Sequence, residues 1–183
     1  MCENNKINEK ADEISGFVSK IVRASNEDFL ALEINNGEFY FSELIKQVQN
    51  HYAEKFALLN IVFRIDQADD CLLWGDIDRA VEVIQNIVEN AVKYGDGVAI
   101  YLRFSDEENC RLIMVENSGC SITADELPHI FDSFWRGPNA SNVEGSGLGL
   151  YICRTLMNRM DGEIFAECIA DNNMRVTAVF RKV

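Results

Sequence analysis

The sequence predicts an α/β domain built as a two-layer sandwich, a mixed sheet covered by helices on one face, with a separate N-terminal helix. Three observations carry that expectation. From Asp78 to Tyr94 the apolar residues Ala80, Val81, Ile84, Ile87, Val88 and Ala91 recur at spacings of three and four, one buried stripe of a helix. Val98 to Phe104 and Arg111 to Val115 lie on either side of the polar run 105–109, the pattern of a hairpin. Near the end, glycines at alternate positions (Gly145, Gly147, Gly149) lead straight into an apolar, helix-compatible run from Tyr151 to Met160, followed by two closing strands. Strands interleaved with helices that are apolar on one stripe pack as two layers.

The elements follow in order. Ile7, Ala11, Ile14, Val18 and Ile21 form a narrow apolar seam on a long helix that wants another helix as partner, and Asn35-Asn36-Gly37 is a turn signal. Residues 1–36 are therefore expected as a helical appendage and 37–183 as one domain. Glu38 to Phe41 reads as a short strand, and Ser42 with Glu43 as the cap of a helix carrying Leu44, Ile45, Val48 and Phe56. Ile61 to Ile65 and Cys71 to Trp74 read as a strand pair around a polar turn from Asp66 to Asp70. The helix over Asp78–Tyr94 ends at Gly95-Asp96-Gly97. After the hairpin come a loop at 116–122, a short helix from Glu126 to Ser133 and a polar segment from Phe134 to Glu144. The last helix is capped near Gly162, before strands Glu163–Ile169 and Met174–Phe180.

Composition excludes some functions. A net charge of -13 argues against duplex nucleic acid as a partner, because neutralising its backbone needs a basic surface. A phosphate-bearing ligand must therefore be held by local donors and a metal. The six cysteines are scattered, with no Cys-x-x-Cys pair and no clustered histidines for zinc, and read as small buried hydrophobes in a reducing cytoplasm. No apolar run approaches the ~20 residues of a membrane span, and no signal peptide follows Met1. The chain is expected to be soluble and to make no membrane contact of its own.

The glycine run carries the first chemical signal. Where a glycine loop opens a helix, bare first-turn amides and the positive end of the helix dipole form an anion site. The second signal lies on the Asp78–Tyr94 helix, where Asn86, Asn90 and Lys93 fall on the face opposite the apolar stripe. Two carboxamides one turn apart can offer oxygens to Mg²⁺, which keeps several waters and completes its shell with phosphate oxygens. Alone, each pattern is equally a tight turn or a solvated helix face.

Together with two further motifs, these stretches resemble the ATP-binding catalytic domain of sensor histidine kinases, within the wider group of gyrase, mismatch-repair and chaperone ATPases. Gln85 to Tyr94 looks like the N box, Asn117 to Ile122 the first glycine box, Ile130 to Arg136 the F box, and Gly145 to Leu150 the second glycine box. The match spans roughly residues 38–183, and residues 5–34 are similar to the second helix of the family's dimerisation and phosphoacceptor hairpin. The resemblance implies ATP and Mg²⁺ as ligands. Asn90 would be the principal metal ligand, with Asn86 close to the same ion. Lys93 and Arg136 would meet the phosphates, Arg136 as a planar fork. Gly145, Gly147 and Gly149 would bring amides to them while Leu148 and Leu150 pack beneath. Ile122 and Phe134, within their boxes, are expected beside the nucleotide, and Tyr94 would lie near it or finish the helix packing. Residues 137–144 would form a lid.

Two departures shape the expected chemistry. The first glycine box normally reads Asp-x-Gly-x-Gly, with an aspartate that accepts the adenine amino hydrogen bond; here the positions are Asn117, Gly119 and Ser121. A neutral carboxamide acceptor predicts weaker nucleotide affinity. In hydrolytic branches a glutamate one turn before the metal asparagine activates water; here it is Asn86, a poor base. The acceptor of the γ-phosphoryl group is therefore expected to be a histidine. His51 and His129 read as structural or surface residues, and the family's phosphoaccepting histidine lies on a helix before residues 5–34. The chain is thus expected to be a cytoplasmic fragment of a longer, membrane-bound, homodimeric sensor that passes its phosphoryl group to a response-regulator receiver domain. Alternatives on the same fold are an anti-sigma-type serine kinase or a scaffold without catalysis.

Overall fold

Alternating apolar residues set five strands edge to edge in one sheet. The computed structural model describes residues 33–120, 122–137, 145–169 and 172–183. A compact unit runs from Ile34 to Val183, whereas the helix expected over 1–36 falls, but for its last residues, outside those described. In chain order the elements are β1 (Gly37–Tyr40), α1 (Phe41–Leu59), β2 (Val62–Ile65), β3 (Leu72–Gly75), α2 (Ile77–Tyr94), β4 (Ala99–Asp106), β5 (Cys110–Asn117), α3 (Gly149–Arg159), β6 (Glu163–Ile169) and β7 (Asn173–Arg181), with one 3-10 turn at Leu127–His129. The main sheet has the order β2-β4-β5-β7-β6. Among the described residues only β2 and β4 run parallel; every other pairing in the sheet is antiparallel, so the sheet is mixed as expected.

Register decides which face is covered. Leu102 stands opposite Val115, which stands opposite Val176; one step along, Ile113 faces Ala178. All five are buried; α2 packs on β4 and β5 and α3 on β7 and β6, while α1 packs against α2 and β2. The other face is charged. Glu116 on β5 takes Arg103 of β4 at 2.7 Å and Arg175 of β7 at 2.6 Å, and Arg175 continues to Glu167 of β6 at 3.0 Å. Alternating charges on neighbouring strands hold the register of this face, which none of the described helices covers.

Four local expectations are corrected. The segments 61–65 and 71–74 do not pair with each other: β2 joins β4, and β3 joins β1 as a two-stranded ribbon, Phe39 opposite Leu73. The polar run between them is drawn away from a tight turn because Asp70 accepts the Ser42 amide at 2.9 Å and its hydroxyl at 2.7 Å. The same contact corrects the expected cap. Helix α1 starts at Phe41 with Tyr40 as an N-cap that makes no side-chain bond, and Asp70 supplies the carboxylate from a distant segment. On α2 it is Val83 rather than Val81 that is fully buried. Finally, the helix expected from Glu126 to Ser133 shrinks to Leu127–His129, after which the chain goes on in three-residue turns, the Asp132 amide donating to the His129 carbonyl at 2.8 Å.

A buried arginine fastens the edge opposite the glycine loop. Arg111, 1% exposed, donates through Nε and Nη2 to Asp106 at 3.0 and 2.8 Å and through Nη2 to the Asp69 carbonyl at 2.9 Å, while its guanidinium lies 4.3 Å from the Phe41 ring centre. Lys182 also reaches Asp106, at 3.2 Å. Burial works against the Asp106 carboxylate, but the hydrogen bonds and charges of Lys182 and Arg111 outweigh it and hold its pKa below the usual range.

Because the folded pKa is depressed, this contribution is complete above the unfolded carboxylate value of about 3.9 and disappears as pH falls through the folded value. Asp106→Ala strands a buried cation and should cost about 2–3 kcal/mol in urea denaturation at pH 7. Arg111→Met, which removes the charge and keeps the packing, should cost less. The Asp106→Ala penalty should shrink below pH 4; equal penalties at pH 3 and pH 7 would contradict the assignment.

Candidate functional site

Helix α2 owes its placement to an N-cap and an apolar stripe. Asp76 accepts the amides of Asp78 and Arg79 at 3.0 and 3.3 Å, and Ala80, Ile84, Ile87 and Ala91 seat the helix on the sheet. Its rotation is fixed from behind by Tyr52 on α1, whose hydroxyl donates to the Gln85 carbonyl at 3.0 Å. Burial, with Glu89 nearby, pushes the Tyr52 phenol far above its ordinary range, so it remains a donor. Asn86, Asn90 and Lys93 consequently line one cavity of about 350 Å³.

Helix α3 forms the facing wall. It begins at Gly149 after Leu148, and no side chain caps it, so its first-turn amides are not claimed by a capping group. A methyl group placed on Gly149 would lie 3.6 Å from Asn90 Nδ2 and 3.7 Å from Asn86 Oδ1, which puts both carboxamides over the start of the helix. Cys153, fully buried, packs α3 on α2 with Sγ 3.6 Å from the Val83 carbonyl, and burial drives its thiol pKa far up, leaving an inert neutral group.

Gly147 sets the turn ahead of the helix. Its φ is +73°, and a Cβ there would stand 2.7 Å from both the Phe134 carbonyl carbon and the Trp135 carbonyl oxygen. Only glycine tolerates both the dihedral and the approach. The contact is reciprocal: the Phe134 amide donates to the Gly147 carbonyl at 3.0 Å, with Phe134 itself at φ 64°. Gly145 sits next to Tyr94, whose hydroxyl would be 3.6 Å from an added Cβ.

The floor is the sheet. Val115, Met174 and Val176 belong to the inward row of β5 and β7, and Asn117 ends that row opposite Met174. Asn117 is 8% exposed and donates through Nδ2 to the Ser118 carbonyl at 3.2 Å, which leaves Oδ1 as its acceptor. The following loop is braced rather than loose. Ser118 Oγ donates to Asp96 at 2.6 Å and the Val98 amide does so at 3.0 Å, and these bonds hold the Asp96 carboxyl below its usual range.

Most residues singled out in the sequence meet at this cavity: Asn86, Asn90, Lys93, Tyr94, Asn117, Ile122, Arg136, Gly145, Gly147, Leu148, Gly149 and Leu150 all line it. Gly119 and Phe134 do not. Gly119 is turned against Asp96, where an added Cβ would meet the backbone nitrogen at 2.7 Å, and Phe134 acts through its backbone on Gly147 with its ring 41% exposed. Of the expected lid, Gly137 lines the cavity and 138–144 lie outside the described residues. Sequence reasoning left out the apolar floor and Cys120, Glu126, Ile130 and Trp135. The floor was open to discovery, since the alternation of β5 carries Val115 onto the same face as Asn117; Cys120 and Glu126 sit on irregular backbone where no period places them.

The cavity can therefore hold an elongated molecule, flat and apolar at the sheet end and anionic at the α3 end, where Lys93 and Arg136 add positive charge. Among the described residues no group of three or more His, Cys, Asp and Glu side chains is arranged to hold a metal ion. A hard cation here would rely on the two carboxamide oxygens and on phosphate oxygens of the ligand.

The family model described as "Histidine kinase-, DNA gyrase B-, and HSP90-like ATPase" matches residues 75–183. The chain is 31% identical over 151 residues to the sensor histidine kinase RcsC of Escherichia coli, covering 80% of this chain and 16% of that protein. It therefore spans only a minor part of this curated relative. Among solved structures, the catalytic domain of histidine kinase ThkA superposes with a TM-score of 0.71 at 28% identity, over 81% of this chain and 98% of that one. ThkA in complex with the response regulator protein TrrA matches with a TM-score of 0.70 at 26% identity, over 98% of this chain and 50% of that one. The chain belongs to the histidine kinase-, DNA gyrase B- and HSP90-like ATPase family, and its domain has the fold of a histidine-kinase catalytic domain.

Proposed function

We propose that this chain binds ATP with Mg²⁺ between α2 and α3 and transfers the γ-phosphoryl group to a histidine from outside these residues, as the catalytic part of a sensor histidine kinase. The observation that carries the reading is the facing of Asn86 and Asn90 onto the uncapped first turn of α3. The donor set suits the metal: neutral oxygens one helical turn apart, beside a place for phosphates. Asn90 and Asn86 would hold the ion, which when bound supplies charge neutralisation at the phosphates.

The chain's own residues do the rest by position. The amides after Gly147 and the start of α3 bind the phosphate tail, and Lys93 and Arg136 balance its charge. Adenine lies on Val115, Met174 and Val176 and gives its amino hydrogen to Asn117 Oδ1. Asn86, where a hydrolytic enzyme would carry a carboxylate, cannot take a proton from water. Transfer to an imidazole needs no such base and follows from alignment and electrostatics. The chain's histidines are not the acceptor on this reading. His51 packs edge-on to Tyr52 with ring centres 4.8 Å apart, His129 bonds Asp132 at 2.9 Å, and neither lines the cavity.

The acceptor would lie on a dimerisation hairpin whose second helix residues 5–34 resemble, in a homodimeric parent protein. A response-regulator receiver would then take the phosphoryl group, a partner supported by the match to ThkA in its complex with TrrA. Relatives that are sensor histidine kinases favour this reading over a serine kinase.

Titration with a fluorescent ATP analogue should show saturable, Mg²⁺-enhanced binding, and absence of saturation would leave only a scaffold. Asn117→Asp, by charging the adenine acceptor, should tighten binding about fivefold. Gly147→Ala should abolish binding, as a Cβ there forces the Phe134–Trp135 backbone aside. With radiolabelled ATP and a phosphoacceptor-helix fragment of the parent kinase, acid-labile phosphohistidine should form. Asn90→Ala should remove it, and a fully active variant would contradict the metal assignment.

A further inference from the structure

The cysteines were expected to be small buried hydrophobes, yet of the five described only Cys153 is buried. Cys120 lines the cavity and Cys168, near the end of β6, is exposed. The fold brings these two together. The Cys120 amide donates to the Asn172 carbonyl at 2.7 Å, which pins the loop after Asn117 to the turn between β6 and β7. On β6, Cys168 stands opposite Met174, a residue of the cavity floor. The two thiols lie within hydrogen-bonding reach of each other. They also grip one residue from both ends: the Ile122 amide donates to Cys120 Sγ at 3.4 Å, and the Cys168 thiol donates to the Ile122 carbonyl at 3.7 Å.

We propose that Cys120 and Cys168 form a peroxide-sensitive dithiol that closes to a disulfide beside the nucleotide cavity and loosens the wall at Ile122. Burial, and then the neighbouring Cys120, raise the Cys168 thiol pKa; the outcome is the same whichever of the two sulfurs reacts first. One thiol gives up its proton, and the sulfur attacks a peroxide oxygen and breaks the O–O bond. The sulfur is oxidised to a sulfenic acid, and the other oxygen leaves as hydroxide and is protonated to water. The second thiol then loses its proton and attacks the sulfenic sulfur, forming the S–S bond and expelling a second water. Two thiols and one peroxide become one disulfide and two waters. In a glutathione-buffered compartment such a bond is transient and is reopened by a dithiol.

The consequence for the cavity follows from the same atoms. In the disulfide Cys168 has no hydrogen left to give the Ile122 carbonyl. Cys120 Sγ is drawn to within about 2.05 Å of its partner, which disturbs its contact with the Ile122 amide. Ile122 loses one hold and has the other displaced, and it shares its loop with Asn117. This effect on binding rests on the nucleotide reading above; formation of the bond does not.

Treating the 183-residue protein with hydrogen peroxide and mapping peptides by non-reducing mass spectrometry should give a Cys120–Cys168 link. The linked peptides should weigh about 2 Da less than the two free thiol peptides together. Fluorescent ATP-analogue affinity should fall about tenfold on oxidation, the worth of one hydrogen bond, and return with dithiothreitol. Cys168→Ser should bind the analogue normally when reduced and show neither the link nor the peroxide response. Free thiols after peroxide, over-oxidation in place of the link, or links between separate chains would overturn the dithiol. A link with unchanged affinity would overturn its effect on the wall. If the reduced protein binds no nucleotide, the functional reading fails while the peptide map still decides the dithiol.

Discussion

Everything at the site depends on how closely the turn before α3 can approach both its neighbours. Gly147 lies flat against the carbonyls of Phe134 and Trp135, and Gly149 lies beneath the carboxamides of Asn86 and Asn90. A Cβ at Gly147 would push the turn off the Phe134–Trp135 backbone, and a side chain longer than a methyl at Gly149 would fill the space under the carboxamides; a phosphate could then meet the amides or the asparagines but not both. The absence of a capping side chain at Leu148 belongs to the same arrangement, since an Asp or Ser there would occupy the amides with an internal carboxylate or hydroxyl.

The rest of the fold keeps those walls at fixed separation. Helix α2 is held by its stripe on the sheet, by Asp76 at its start and by Tyr52 from behind, while α3 is packed to α2 through Cys153. The sheet contributes twice, since its inward row gives the cavity an apolar floor ending at Asn117 and its outward row of paired charges keeps that row in register. A slip of one residue would turn Val115 and Asn117 outward and bring Glu116 under the helices. Register, more than any single contact, decides that a flat apolar surface lies at one end of the cavity and bare amides at the other.

Much of this was legible in the sequence because it is periodic or local. The stripe of α2 fixes which face the asparagines occupy, the glycine run marks an uncapped helix start, and the alternation of β4 and β5 gives the hairpin its inward row. What stayed hidden is non-local. Nothing near Ser42 says that its amide will be taken by Asp70, and nothing in residues 61–74 says that β2 will lie parallel to β4 while β3 leaves for β1. Val81 and Val83 satisfy the same spacing rule, and only the sheet's position chooses Val83. The nearness of Cys120 to Cys168 likewise depends on the loop being pinned to Asn172, a contact between segments some fifty residues apart that no composition rule anticipates. Among the motif residues, Gly119 and Phe134 show that a motif can serve a site by bracing its backbone rather than by facing the ligand.

The central claim is that one ligand touches the carboxamides of α2, the amides opening α3 and the end of β5 together. Backbone and side-chain amide chemical shifts in an isotope-labelled sample, followed as Mg²⁺ and a non-hydrolysable ATP analogue are added, address it directly. The account predicts concerted shifts with one dissociation constant at Gly147, Gly149 and Leu150, at the Asn86 and Asn90 carboxamides, and at Asn117. Shifts confined to the exposed sheet face, or a glycine turn that does not move when the asparagines do, would contradict it.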